Sequence, residues 1–212
     1  MNTDDLLDRL AAEAGPAGPS PARRAVVALA AGLIPSLILY LLALHPRADL
    51  ALAIATPRVE FKLTAALVAA LAAAALLPPL LAPTGRLGAR RWLPWLVGGL
   101  VALGVVTELA VIPASAWLPS LVGHNALFCL TMLPSLALGP FVALMLAARH
   151  GAPMRPSRTG AGIGFLSASV AAVLYATHCP DDSPLFLATW YGIAILAMTG
   201  LGAGVGRRVL RW

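Results

Sequence analysis

Two cysteines carry the thiol chemistry of this 212-residue chain, and both stand near histidine. Cys179 lies in a polar island, "HCPDDSP" (178–184), after His178 and before Asp181 and Asp182. Cys129 closes "GHNALFC" (123–129), five residues after His124. Thiols bind soft metal ions, exchange disulfides or oxidise, and nearby imidazoles and carboxylates add ligands or tune thiolate character. Three readings of the pair stay open. One is a structural disulfide between Cys129 and Cys179. The second is a metal or redox sensor assisted by His124, His178, Asp181 and Asp182. The third is a pair of small apolar fillers. The 49 residues between the cysteines fit neither a zinc-finger framework nor a CxxC redox motif. Pro180, Asp181, Asp182, Ser183 and Pro184 also make good turn chemistry on their own.

Apolar sequence must position these groups. The chain is 59% hydrophobic and 11% charged, with mean hydropathy +0.84. A soluble domain carries about 25% charged residues, so the composition is that of an integral membrane protein. A span needs about 20 mostly apolar residues. Six stretches qualify: about 25–44, 63–82, 92–112, 127–148, 159–177 and 184–205. The expected fold is an all-α membrane protein, a bundle of six transmembrane helices with a short cytoplasmic N-terminal amphipathic helix. Residues 1–24 form a tail and linker, 25–205 the membrane domain, and 206–212 a cytoplasmic C-terminal tail. The weakest span, 159–177, is rich in Gly, Ser and Ala, which suits close packing inside the bundle. Its Gly160 and Gly164 have GxxxG spacing, a pattern that many apolar segments match by chance. Pro35, Pro78, Pro79, Pro134 and Pro140 interrupt spans, as membrane helices tolerate when neighbours satisfy the freed carbonyls.

Charge sets the orientation. Arg9, Arg23 and Arg24 lie in the N-tail; Arg86, Arg90 and Arg91 in the second loop; Arg149, Arg155 and Arg158 in the fourth; Arg207, Arg208 and Arg211 in the C-tail. The opposite side has only Arg47, Arg58 and Lys62, all in the first loop. Both termini are therefore expected in the cytoplasm. Trp92, Trp95, Trp117 and Trp212 sit near predicted span ends, as an aromatic belt does. No cleaved leader is expected, because the first apolar run follows an acidic tail rather than a short basic one. This orientation puts Cys129, Cys179, His124, His178, Asp181 and Asp182 on the outer side. Glu108 is the one acid inside a predicted span, near its outer end. Intramembrane acids are functional by default, though this one is close enough to the boundary to reach water.

The tail has its own signal. In "MNTDDLLDRLAAEAG" (1–15), Leu6, Leu7, Leu10, Ala11 and Ala14 form one apolar helical stripe. Asp4, Asp5 and Asp8 suit the helix N-terminus, and Thr3 can cap it. Gly15 and Pro16 end the helix, and "GPAGPSPA" (15–22) makes a stiff polar linker. The acidic balance disfavours anionic lipid. It favours docking into an apolar groove with a basic rim on a protein partner.

Function classes narrow accordingly. No HExxH or GxSxG motif and no paired intramembrane carboxylates are present, so no enzyme is expected. No basic face on a soluble element offers a direct nucleic-acid site. A small metal or solute transporter of the inner membrane is the alternative, although the spans lack paired charges and broken polar segments. Outer thiols, six spans and an inner docking helix make a transmembrane relay.

Particular stretches carry a family likeness. "TDDLLDRLAAEAGP…RR" at the start, "RHGAPMRP" (149–156), "YATHCPDDSPLFLATWYG" (175–192) and the closing "RVLRW" (208–212) resemble the NrsF-type membrane anti-sigma factors. The resemblance implies a protein that holds an extracytoplasmic-function sigma factor at the inner membrane of a Gram-negative bacterium. It implies sigma binding by the N-terminal segment, with Asp5, Leu6 and Leu7 inside it and Asp4 and Leu10 on the same helix. It further implies that Cys129 and Cys179 face the periplasm as the sensor pair, whose modification by heavy metal or oxidant leads to sigma release. No constitutive cofactor is expected, and a transient heavy-metal ion on Cys129 and Cys179 is the one ligand the likeness suggests. The accessory roles of His124, His178, Asp181, Asp182 and Glu108 come from the residues, not from the resemblance.

Overall fold

A computed structural model describes residues 2–5, 7, 20–82, 85–151 and 153–211. Among them are six helices long and apolar enough to cross a membrane, and no strand. We number these α1 (Pro21–Ala43), α2 (Pro57–Leu81), α3 (Leu93–Val111), α4 (Ala126–Ala148), α5 (Pro156–Ala176) and α6 (Pro184–Val209). All but α4 carry a proline in the first two helical positions. Pro21 follows Ser20, whose hydroxyl accepts from Arg23 N, and Pro184 follows Ser183, which accepts from Leu185 N. Proline suits the first helical turn because its missing N–H would be unpaired there anyway.

In the tail, Thr3, Asp4, Asp5 and Leu7 are helical. Leu6 and Leu10 of the expected docking stripe lie outside the described residues.

The helices alternate in direction. At one end, Arg24 on α1 donates to the His150 carbonyl beyond α4, and Thr159 on α5 donates to Leu80 O on α2 at 2.8 Å. At the other end, the Tyr40 hydroxyl on α1 meets Thr177 Oγ1 after α5, and Arg47 N donates to Thr177 O. The first end carries the start of α1 and the end of α6; the second carries the 178–183 loop.

Two tight crossings hold the bundle. Between α5 and α6, a Cβ on Gly160 would lie 2.1 Å from Gly202 O, and one on Gly164 would lie 2.1 Å from Met198 O. Only glycine allows these backbones so close. The GxxxG spacing thus marks a real contact, and α5 is the most buried of the six helices. Between α1 and α4, Gly32 meets Gly139 and Pro140 backbone to backbone. Pro140 has no N–H to give the Leu136 carbonyl four residues earlier. Ser36 of α1 donates to that carbonyl at 2.7 Å, so the kink is satisfied by the neighbouring helix.

The largest boundary difference is at the second span. The second span was expected to begin at 63, but α2 begins at Pro57. Arg58, Glu60 and Lys62 therefore lie on its first turns rather than in a loop. Charge made this stretch read as loop, while Pro57 carries the opposite signal.

Candidate functional site

The site grows from the end of α5. After Ala176 the backbone turns, with His178 N and Cys179 N both donating to Tyr175 O at 3.0 Å. The 178–183 loop is then held at three points, to α2, to the start of α4 and to α3.

Lys62 on α2 is the first. Its side chain is 1% exposed, and its ammonium donates to Cys179 O at 2.7 Å and Asp181 O at 3.4 Å. It also pairs with the Asp182 carboxylate. A buried ammonium is tolerated only when paired and hydrogen-bonded, and these acceptors meet that need. Arg47 adds to the same carboxylate, with Nη1 2.8 Å from Asp182 Oδ2, and its remaining N–H groups grip Asp49.

Asp181 is the second. Its carboxylate accepts from His124 N, Asn125 N and Asn125 Nδ2, the last two at 2.9 Å, immediately before α4. A negative charge there is favoured by the helix macrodipole. Burial pushes this carboxyl up, but the bonds from Asn125 and His124 outweigh burial and hold it below the usual carboxylate range.

Glu108 of α3 is the third. Its Oε2 accepts from the Ser183 hydroxyl at 2.6 Å and from Leu185 N at 3.1 Å, and its Oε1 lies 3.1 Å from Arg58 Nη2. The residue is buried rather than reaching water, and it ties the end of α3 to the start of α6.

Both thiols sit behind these anchors. Cys129, in the first turn of α4, and Cys179 are each 0% exposed and belong to one core with Tyr175, Phe186 and Tyr191. They are electrostatic neighbours, and both are free thiols, so the disulfide reading has no counterpart in this structure. Asp181 links the loop of Cys179 to the turn that carries Cys129, and so draws both into one core. Burial pushes the Cys179 thiol above its usual value, and the Lys62 charge only partly offsets this. Tyr191 comes from a π-helical turn, Leu187–Tyr191, inside α6. The Tyr175 and Tyr191 hydroxyls are buried without a hydrogen-bond partner among the described residues, and both side chains belong to the core that holds Cys179.

The other sequence candidates are not gathered around sulfur. His124 is 96% exposed, with Nδ1 3.5 Å from Asp181. His178 turns its Nδ1 to His45 O at 2.8 Å and stacks its ring near Phe128 and Tyr175. Asp181, Asp182 and Glu108 are engaged as anchors. Among the described residues, no group of three or more His, Cys, Asp or Glu is placed to hold a metal ion. Two buried thiols remain as the soft donors at this place among the described residues, with the Lys62 ammonium beside the Cys179 carbonyl. Sequence reading missed Lys62, Arg47, Arg58 and Asn125 as partners. Their signal was present only for Lys62: a lone lysine beside an apolar run.

The family model described as "Negative regulator of sigma F" (NrsF) matches residues 10–212. The chain is 36% identical to the anti-sigma-F factor NrsF of Caulobacter vibrioides (strain NA1000 / CB15N), over 100% of both chains. It is 33% identical to the probable anti-sigma-F factor NrsF of Azospira oryzae (strain ATCC BAA-33 / DSM 13638 / PS), again over 100% of both. No solved structure matches it.

Proposed function

We propose, from the premise that this chain belongs to the NrsF family of negative regulators of sigma F, that it is a membrane-embedded anti-sigma factor releasing its partner when its buried thiols are modified. The partner is a sigma factor of the extracytoplasmic-function type. The location is the inner membrane, with both termini in the cytoplasm and the 178–183 loop in the periplasm. The observation that carries the anti-sigma reading is the likeness to anti-sigma factors along the entire chain.

In the resting state the acidic segment 1–14 occupies a sigma surface. Asp4, Asp5, Leu6, Leu7 and Leu10 make that contact, charge to basic rim and leucines to groove. A heavy-metal ion or oxidant then reacts at Cys129 and Cys179. Their pocket has no spare exposure, so an added atom must displace a wall. The nearest movable wall is the loop, held to α2 by Lys62 and to α4 by Asp181. From there α2 runs to the opposite end of the bundle, where Thr159 grips its last turn. Driving a two-state equilibrium from 99:1 to 1:99 takes about 5.5 kcal/mol. Metal–thiolate sites in small proteins bind with about 10–16 kcal/mol, so even a weak two-thiol site has the required scale.

Deleting residues 1–15 tests the docking role. The shortened protein should still enter the membrane but lose co-purification with the sigma factor, and the sigma regulon should be on without stress. Retained co-purification sinks the reading of the tail.

A further inference from the structure

The helix α3 is pinned at one end and open at the other. Near its C-terminal end it is tight against the bundle: a Cβ on Gly104 would lie 2.2 Å from the Phe61 ring, and Glu108 binds Ser183 and Leu185 N. Two turns earlier, a Cβ on Gly98 or Gly99 would meet nothing within 4 Å. The result is a wedge-shaped groove of about 600 Å³ between α3 and the faces of α2, α5 and α6. Its walls are apolar, with Ala69, Gly98, Val101, Phe165 and Ile195 among them. Thr199 adds a hydroxyl that is already spent on Ile195 O at 2.7 Å.

The wide end of the wedge is charged. Arg91 and Arg158 line it, and it continues into a recess that adds Arg86 and Arg155. No carboxylate among the described residues lies in either lining. Arg91 lies over the Trp92 ring, and the exposed Trp92 marks the depth of a membrane interface. Five of the nine acids, Asp49, Glu60, Glu108, Asp181 and Asp182, lie at or near the other end of the bundle. An apolar slot in the hydrocarbon layer that ends in arginines without a carboxylate partner among the described residues, at headgroup depth, has the shape and charge of one ligand class.

We propose that this groove binds an anionic glycerophospholipid of the terminus-bearing leaflet, its phosphate on Arg91 and Arg158 and an acyl chain along Gly98 and Ile195. A second copy of this chain is the weaker fit, because its helices would bring no acid to the two arginines. The bound chain wedges α3 away from α5 and α6 and so supports the gap that the sequence leaves open.

Native mass spectrometry of the full-length protein in detergent, titrated with phosphatidylglycerol or phosphatidylcholine, tests this. One equivalent of phosphatidylglycerol should bind at least about tenfold more tightly than phosphatidylcholine, on the scale of two basic contacts. The pair Arg91→Gln and Arg158→Gln should erase that difference. Gly98→Leu should lower retention of both lipids by filling the slot. Gly204→Leu, where a Cβ also meets nothing within 4 Å but outside the groove, should change neither. A phosphatidylglycerol preference that survives the arginine pair overturns the proposal, as does unchanged retention in Gly98→Leu. A dimer that Gly98→Leu dissolves overturns it in favour of a second copy. If removing residues 1–19 raises phosphatidylglycerol binding tenfold, the arginines already hold the chain's own acids, which also overturns it.

Discussion

The buried ammonium of Lys62 donates to the backbone carbonyl of Cys179 at 2.7 Å, so one helix holds the peptide of a thiol-bearing residue directly. Lys62→Met keeps the length of the side chain and removes the donor. It leaves the carbonyls of Cys179 and Asp181 without their shared partner, while Asp182 retains Arg47. The expected cost is about 1–3 kcal/mol, that of unsatisfied buried acceptors. The loop should loosen, and Cys179 should react with a small maleimide faster than in the parent protein. Thermal unfolding in detergent and the alkylation rate check both halves.

Cys129→Ser and Cys179→Ser address the sensor step itself. Serine keeps the volume close but cannot form the metal–thiolate or oxidised sulfur species. Each variant should hold a sigma-dependent reporter in one state whether or not metal or oxidant is added. Because both sulfurs share one core, the double variant should behave like either single one. Ordinary induction in both single variants would remove the thiols from the mechanism.

Asp181 gives the site a pH dependence. Its folded-state carboxyl is held below the usual range by Asn125 and His124. The stabilisation is therefore complete above the unfolded carboxylate value, near about 4, and is lost as pH falls through the lower folded value. Protonation weakens the link from the 178–183 loop to the start of α4. The midpoint of thermal unfolding should fall toward acid pH, and Asp181→Asn should lower it at neutral pH while flattening the acid limb. Equal acid limbs in the two proteins would mean that another carboxylate governs them.

How far the sequence reaches can be judged from these same residues. Each of the six helices carries about 20 apolar residues, a one-dimensional property, and each was legible for that reason. The close α5–α6 crossing was visible only as Gly160 and Gly164, because their partners Gly202 and Met198 belong to another helix. Asp181 read as turn chemistry or a ligand; its partner Asn125 is 56 residues away, and no local pattern names it. Lys62 read as a loop charge because a charge at a span boundary looks the same whether it faces water or a buried carbonyl. The π turn at Leu187–Tyr191 has no residue signature at all, yet it is the element that supplies Tyr191 to the thiol core.

Ser36 and Pro140 form a pair whose energetics can be taken apart. Pro140 cannot donate to Leu136 O, and Ser36 of the neighbouring helix does so at 2.7 Å. Ser36→Ala should therefore orphan a buried carbonyl and cost about 0.6–1.7 kcal/mol, the range of interhelical hydrogen bonds in membranes. Pro140→Ala restores an N–H four residues after Leu136, so the carbonyl then has a partner within its own helix. In that background Ser36→Ala should cost much less, since its hydroxyl no longer serves a frustrated acceptor. The coupling energy of the double-mutant cycle, measured by unfolding in detergent, should be of the same size as the single Ser36→Ala loss. Additive losses would show that Ser36 contributes by packing against Gly139 rather than by completing the kink.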